Sequence, residues 1–529
     1  MTINPNDFRN GAVAVRQGSL LGHINELIDH FPVAAEHRKA LRSLGSDFVY
    51  ARRSPIPSDR DSWIVLIRFG AVIEQRFGIT REVLGYYSRH RDLQQRTYQN
   101  LPNLTTMTLN PPTPDLFLLW SPDPMVSVRL DDWSTKSAHV AIALPKMGHS
   151  DAASEIWHSL LRRLTQTNTY KQTLPVTGRD FFGRIRPLRE LADHLTAGRV
   201  SGVFGLRKTG KTSLVKEFGR RVAETTEVRQ IFVLRDLETL PSNTEEQVAN
   251  LLDDIRVNLL TELRSKGLRT HELVQLPSSP TVAEFRRAIH ILLSHIARQE
   301  VNVVLALDEI ESLVGPATEW NANRPQAVEL LGALRALVQE NANFNVLVSG
   351  LTSSILEEGE LFGRENPFFA WATTLFLPPL TKTESMEILV HLGRRMAVTW
   401  SEDAASEVAE LADGHVFLLR TLAAQMVESL PADLTLREVT TDVLTHTRRQ
   451  WRRSVAGQVH QMMASIARYY PTENDVLDLI QTSPFEIDTL EELYPNEINH
   501  LIQLGLVAED HNGLRLTALS AFDSRHSRN

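Results

Sequence analysis

Residues 199–213 read RVSGVFGLRKTGKTS, and the reading of that stretch decides the fold. Val200 to Phe204 is apolar or small throughout, as a buried strand requires. Gly205, Gly210, Lys211 and Thr212 then keep the spacing G-x-x-x-x-G-K-[ST]. Glycines let main-chain N–H groups turn inward around an anion. The N-terminus of a following helix, SLVKEFGRRVAE (213–224), adds a partial positive charge. Leu206, Arg207, Lys208 and Thr209 complete the loop, and Ser213 begins the helix. In such a cradle Lys211 reaches the terminal phosphates and the Thr212 hydroxyl ligates Mg2+. The alternative is a polar loop that matches by chance, but a strand before and a helix after favour the cradle.

Further along, QIFVLRDL (230–237), VNVVLALDEIESL (301–313), NFNVLVSGL (343–351) and TTLFLPPL (373–380) read as strands separated by helical stretches. That rhythm predicts an α/β fold with a parallel sheet and crossover helices over 171–380. Asp308 and Glu309 close the second of these strands. The first acid suits Mg2+, directly or through water, and the second suits orienting and deprotonating an attacking water. A solvated strand end is the bland alternative. Two acids together point to hydrolysis as well as binding.

The chain has 529 residues, enough for three or four domains. Its net charge of −8 argues against a generally basic nucleic-acid coat. The absence of cysteine excludes disulfides, thiolate metal sites and a cysteine nucleophile, and fits a cytoplasmic protein. No apolar run is long enough for a membrane span, and the start lacks a signal-peptide pattern, so no membrane partner is expected.

Strands such as EVLGYYS (82–88), DLFLLWSPD (115–123) and HVAIALP (139–145) alternate with helical stretches over 1–170 and predict a separate α/β domain. Its acids Asp115, Asp123, Asp131 and Asp132 form no nuclease pattern, and His90 and His139 have no evident serine or metal partner. A sensing or protein-binding module and a second enzyme both stay open there. Residues 381–445 read as a small helical subdomain. Residues 446–529 read as three helices and two short strands around an Asn-Gly turn, the plan of a winged helix. HTRRQWRRS (446–454) sets Arg448, Arg449, Arg452 and Arg453 around Trp451, either as a grip on a phosphate backbone or as a basic connector.

With these motifs in place, the chain resembles the prokaryotic P-loop ATPases of the archaeal-type ATPase and STAND class, within the AAA+ superfamily. The resemblance spans about residues 177–445. FFGRIRPLREL (181–191) is similar to the family's F-x-G-R-x-x-E-L phrase, which implies that Phe182, Gly183 and Arg184 border the adenine. GLRKTGKTSL matches its Walker A, and ALDEIESL its Walker B. ADGHVFLLR (412–420) resembles its lid motif, with Val416 where the family has proline and Arg420 placed to touch the γ-phosphate. The family's polar sensor maps onto Ser349, Thr352 or Ser353. Trp371 stands where an arginine is usual, leaving Arg364 as the candidate trans-acting finger. The resemblance implies ATP and Mg2+ as ligands and ATP hydrolysis. It further implies a nucleotide-controlled switch that self-associates as a homo-oligomer, with a protein trigger or effector, in a setting of bacterial defence or signalling. A DNA-acting loader or transposition regulator is the alternative, and a scaffold that nucleotide merely stabilises is the third.

Overall fold

Alternation shapes the first sheet. In the computed structural model, Leu116 and Leu118 point to one side of a strand, and Phe117 and Leu119 to the other; all four are buried. A sheet apolar on both faces needs cover on both. One face packs on Val33, Leu41, Ile156 and Leu160, and the other on Tyr98, Leu101 and Leu130. The strands are β1 (Asp47–Arg53), β2 (Trp63–Arg68), β3 (Val83–Tyr87), β4 (Leu116–Trp120) and β5 (Val140–Ala143), ordered as numbered. The first three pair antiparallel and the last three parallel.

The structure describes residues 17–522, less 56–58, 78, 80, 106–111, 114–115, 136–138, 147, 149–150, 165–167, 172–173, 179–180, 197–199, 225–228, 241–243, 321–323, 370–371, 397, 432–436, 483–486 and 511–512. Asp115, Trp371 and the asparagine of the expected Asn-Gly turn lie outside the described residues.

The chain divides into two units. The first comprises residues 1–173, 385–409 and 419–451, and the second 174–384, 410–418 and 452–529. The division is interleaved, unlike the contiguous segments expected from the sequence. A short turn, Thr169–Lys171, shows how the later segments join the first unit. The Tyr170 hydroxyl donates to the Leu389 carbonyl and accepts from Trp400 Nε1 (2.9 Å), while Thr169 Oγ1 donates to the Leu392 carbonyl (3.3 Å).

In the second unit, β6 (Val200–Phe204), β7 (Arg229–Asp236), β8 (Val301–Asp308), β9 (Phe344–Gly350) and β12 (Ala372–Phe376) form one parallel sheet, ordered β12-β6-β9-β8-β7. Between β9 and β12 lies a two-residue hairpin of β10 (Glu360–Leu361) and β11 (Arg364–Glu365). Val346 and Val348 face a core with helices Val282–Ala297 and Pro325–Glu340, whereas Leu347 faces Leu188, Leu214 and Phe218 of helices Ile185–Thr196 and Lys211–Glu224. This is the α/β P-loop core that the spacing predicts. β13 (Val398–Trp400) pairs in parallel with β14 (Arg437–Val439).

Three helices, Pro471–Thr482, Ile487–Leu493 and Pro495–Gln503, precede the antiparallel pair β15 (Val507–Asp510) and β16 (Gly513–Leu516). The boundary expected at 445/446 falls inside one helix of 29 residues, Thr441–Tyr469. HTRRQWRRS is therefore helical, and the boundary between the two units falls within it, between Trp451 and Arg452. Helical periodicity sends its tryptophan inward, where Trp451 is 1% exposed and donates Nε1–H to Thr421 Oγ1 (3.0 Å), while the four arginines stay outside.

Candidate functional site

The cradle begins where β6 ends. Lys208 and Gly210 carry positive φ, +63° and +98°, so the loop curls back before the helix Lys211–Glu224 starts. At Gly210 a Cβ would lie 3.0 Å from Arg184 Nη1, so the glycine lets that guanidinium close over the loop. Lys211 is buried, and its ammonium donates to the carbonyls of Gly205 (2.9 Å) and Leu206 (3.1 Å). Thr209 Oγ1 also donates to Leu206 (2.8 Å). Lys208 donates to the Gln458 carboxamide and lies 4.5 Å from the Phe417 ring centre. Arg207 pairs loosely with Glu238 at 3.9 Å, and Ser213 Oγ accepts from the Val176 amide (3.2 Å).

The acids meet the cradle across β9. Thr212 Oγ1 donates to Asp308 Oδ2 (2.7 Å), and Ser349 Oγ donates to Asp308 Oδ1 (2.5 Å). Ser349 sits on β9, between β6 and β8, so sheet order selects it from the three polar candidates. Thr352 pairs instead with Ser354 (2.9 Å), and Ser353 is held by the Tyr470 hydroxyl (3.0 and 3.1 Å). Glu309 has φ +56°, a conformation costly for a residue with a Cβ. Burial pushes its carboxyl up to about 8; nearby Lys211 pulls it down, and Glu311 and Asp308 push it up. Glu311 was not singled out from the sequence. It is buried, accepts from the Leu351 amide (3.0 Å), and presses so close to Gly350 that a Cβ there would lie 2.2 Å from its Oε2. The signal was available as the third acid of the phrase DEIES.

One carboxylate beside two hydroxyls is a hard oxygen set, which fits Mg2+ completed by phosphate and water oxygens. Among the described residues no cluster of three or more His, Cys, Asp or Glu could hold a metal by itself.

Beside the cradle, Gly183 and Arg184 turn through positive φ, and Glu384 Oε1 accepts from the Arg184 amide (2.9 Å). Glu384 also accepts from the Thr381 amide (2.8 Å), so one carboxylate ties the FFGR phrase to the start of helix Lys382–Arg395. Phe182 is half-buried. Burial lowers Arg184 to about 10, against the pull of Glu384. Arg184, Thr209, Pro379, His415, Val416 and Gly505 border a cleft of about 20 Å³, little more than one water molecule. His415 is buried there with neither ring nitrogen hydrogen-bonded, and burial next to Arg184 and Lys208 lowers it to about 4. Val416 opens the helix Val416–Glu428, the first-turn position that the family's proline would occupy.

The other candidates lie elsewhere. Arg364 is exposed on the β10–β11 hairpin. Arg420 donates to the carbonyls of Thr169 (3.1 Å) and Tyr170 (3.2 Å) in the first unit. His90 has a partner that the sequence hid: its Nε2 lies 3.2 Å from Asp59 Oδ1. His139 Nε2 lies 3.2 Å from the Tyr98 carbonyl. Asp123 accepts from the amides of Leu93 (2.9 Å) and Met125 (2.8 Å), and Asp131 pairs with Arg163, so both serve the fold.

No family model matches the chain, and no curated protein matches it. Solved structures do. A Walker-type ATPase of Pyrococcus abyssi is 18% identical at a TM-score of 0.49, covering 67% of this chain and 99% of its own. The ORC2 protein of Aeropyrum pernix, in ADPNP–ADP complexes, is 15% identical at 0.42, with 69% and 96% covered. The RuvB Holliday junction branch migration motor of Thermotoga maritima is 17% identical at 0.33, with 65% and 96% covered. No helix among the described residues is long and apolar enough to cross a membrane.

Proposed function

We propose that the second unit binds ATP with Mg2+ in the Gly205–Ser213 cradle and hydrolyses it. The hydrogen bond from Thr212 to Asp308 carries this reading, because it joins the loop to the acid in the one arrangement that serves a phosphate-bound cation. Lys211 exchanges its two carbonyl partners for phosphate oxygens, and the loop amides and helix N-terminus hold the remaining charge. Thr212 and Asp308 would hold Mg2+, which when bound would supply charge neutralisation to the phosphates. Ser349 fixes the Asp308 carboxylate, and Glu309, ionised once a cation sits beside it, orients the attacking water and takes its proton. Arg184 and His415 close over the base side of the loop.

Hydrolysis serves a switch. The cleft beside His415 is too narrow for a base, so nucleotide binding must widen it and shift the balance between two arrangements of its walls. Self-association as a homo-oligomer, with Arg364 reaching a neighbouring copy, is the output this reading expects, and a role in defence or signalling follows by analogy alone. Sedimentation with ADP against a non-hydrolysable ATP analogue tests it. A species heavier than the monomer with the analogue only is expected; one unchanged mass in both overturns the switch.

A second reading rests on the exposed stripe of Arg448, Arg449, Arg452 and Arg453 on one helix. A salt-steep affinity for duplex DNA, lost when all four become alanine, would establish a DNA-acting ATPase. Undetectable binding at low salt would end that reading.

A further inference from the structure

We propose that the groove between the outer edge of β12 and the helix Pro495–Gln503 binds an extended peptide of basic character, which another protein supplies and which adds to the sheet as a further strand. β12 is an edge strand, paired with β6 alone among the described strands. The Leu377 amide donates to the Phe204 carbonyl of β6 (2.8 Å), so alternate residues turn the other way. By that parity the N–H and C=O groups of Thr374 and Phe376 face outward, as a row ready to pair. Both residues are half-exposed, and both line the groove.

The opposite wall supplies what a peptide's second edge needs. Asn496, Asn499 and Gln503 share one helix face and line the groove. Carboxamides both donate and accept, which matches the alternating groups of a main chain. The space is about 350 Å³, within the range of roughly 300–1,000 Å³ that defined ligand sites occupy.

Charge chooses between peptide and nucleic acid. His500, midway along the helix, lies 3.4 Å from Glu357 and 2.7 Å from Glu473. One imidazolium between two carboxylates leaves a net negative site. The helix itself carries Glu497 and no lysine or arginine. A phosphate backbone is repelled there, whereas a lysine or arginine side chain finds Glu357 partly open to it. The ion pairs hold His500 up at about 9, so the balance persists at neutral pH. This inference does not depend on nucleotide binding. It gives the third helix of the C-terminal segment a protein partner.

Fluorescence polarisation with a labelled hexapeptide, Thr-Val-Lys-Val-Thr-Val, tests it against a twin with glutamate for lysine and against a labelled duplex DNA. Saturable binding of the basic peptide is expected, weakened about tenfold by Thr374→Pro, which removes an outward N–H without touching the β6 ladder. Asn499→Leu, on an exposed helix face, weakens it also and keeps the test decisive should the proline variant fail to fold. The proposal is overturned by any of three results: no saturable binding of the basic peptide, equal or tighter binding of the acidic twin or the DNA, or basic-peptide binding that both variants leave unchanged. Self-association that either variant abolishes would likewise overturn it, by making a second copy the occupant.

Discussion

Each unit buries a histidine, and the two are buried to different ends. His37 in the first unit has both ring nitrogens engaged, at 3.0 Å from the Tyr87 hydroxyl and 2.8 Å from the Pro145 carbonyl. His415 in the second unit has neither. Burial lowers both to about 4. Desolvating a polar group is tolerable where hydrogen bonds replace water, and costly where they do not. The first unit meets that condition at His37. Around the cradle two groups stay unmatched: both ring nitrogens of His415 and Arg184 Nε are buried without a hydrogen-bond partner. Unmatched buried polarity beside a phosphate-type loop suits a ligand that brings its own hydrogen bonds.

The strongest way to break that contrast is Glu309→Gln. If the buried carboxyl is the base, ATP turnover falls by about two to three orders of magnitude in a steady-state phosphate-release assay, while affinity stays within a few-fold. Turnover near wild type would remove Glu309 from the chemistry. Next comes Lys211→Ala. Losing a charge-assisted contact to phosphate weakens ATP about a hundredfold by isothermal titration calorimetry. An unchanged affinity would leave the loop with only its own carbonyls to serve.

The histidines give a smaller and more pointed test. His37→Leu strands the Tyr87 hydroxyl and the Pro145 carbonyl, and lowers stability by about 2–3 kcal/mol in urea unfolding at neutral pH. His415→Leu strands nothing and leaves the urea midpoint of the second unit unchanged or higher. The pH dependence sharpens this. The folded pKa of His415 lies below its ordinary value, so the unfolded chain takes the proton first as pH falls. Above about 6.5 proton linkage adds no penalty, and stability drains as pH drops from there towards 4, by about 3 kcal/mol in all. His415→Leu flattens that acid limb for the second unit. A variant that unfolds at the wild-type acid midpoint would show that His415 is hydrated or paired in solution.

Much of the second unit was legible because its signals are local. The cradle's spacing, the strand ahead of Lys211 and the acids at the end of β8 are each contiguous in sequence, and the structure joins them as Thr212 to Asp308. The interleaved membership of residues 385–409 and 419–451 was not legible, since it depends on where Tyr170 docks and no nearby pattern states that. Ser349 could not be chosen from its neighbours without the strand order, which puts β9 between β6 and β8. Trp451 was misjudged because a basic run draws attention to its charges, while the helix phase that buries its tryptophan emerges only over several turns. His90 looked solitary because Asp59 is 31 residues away, brought near by the pairing of β2 with β3.

That last pair sets the smallest effect. Asp59 accepts from the Tyr86 hydroxyl, from Ser62 Oγ (2.5 Å) and from His90 (3.2 Å), so a carboxylate, a histidine and two hydroxyls converge as in a catalytic group. Here they satisfy one another. Both carboxylate oxygens are taken, and the histidine contact is the longest of the three. Asp59→Asn keeps the shape and removes one charge, so a loss of about 1 kcal/mol is expected, with a correspondingly small fall in melting temperature. Basal ATP turnover should stay within twofold of wild type. A tenfold fall in turnover, with melting unchanged, would mean that this cluster acts on the cradle's chemistry and that the contrast between a self-satisfied cluster in the first unit and an unmatched site in the second is false.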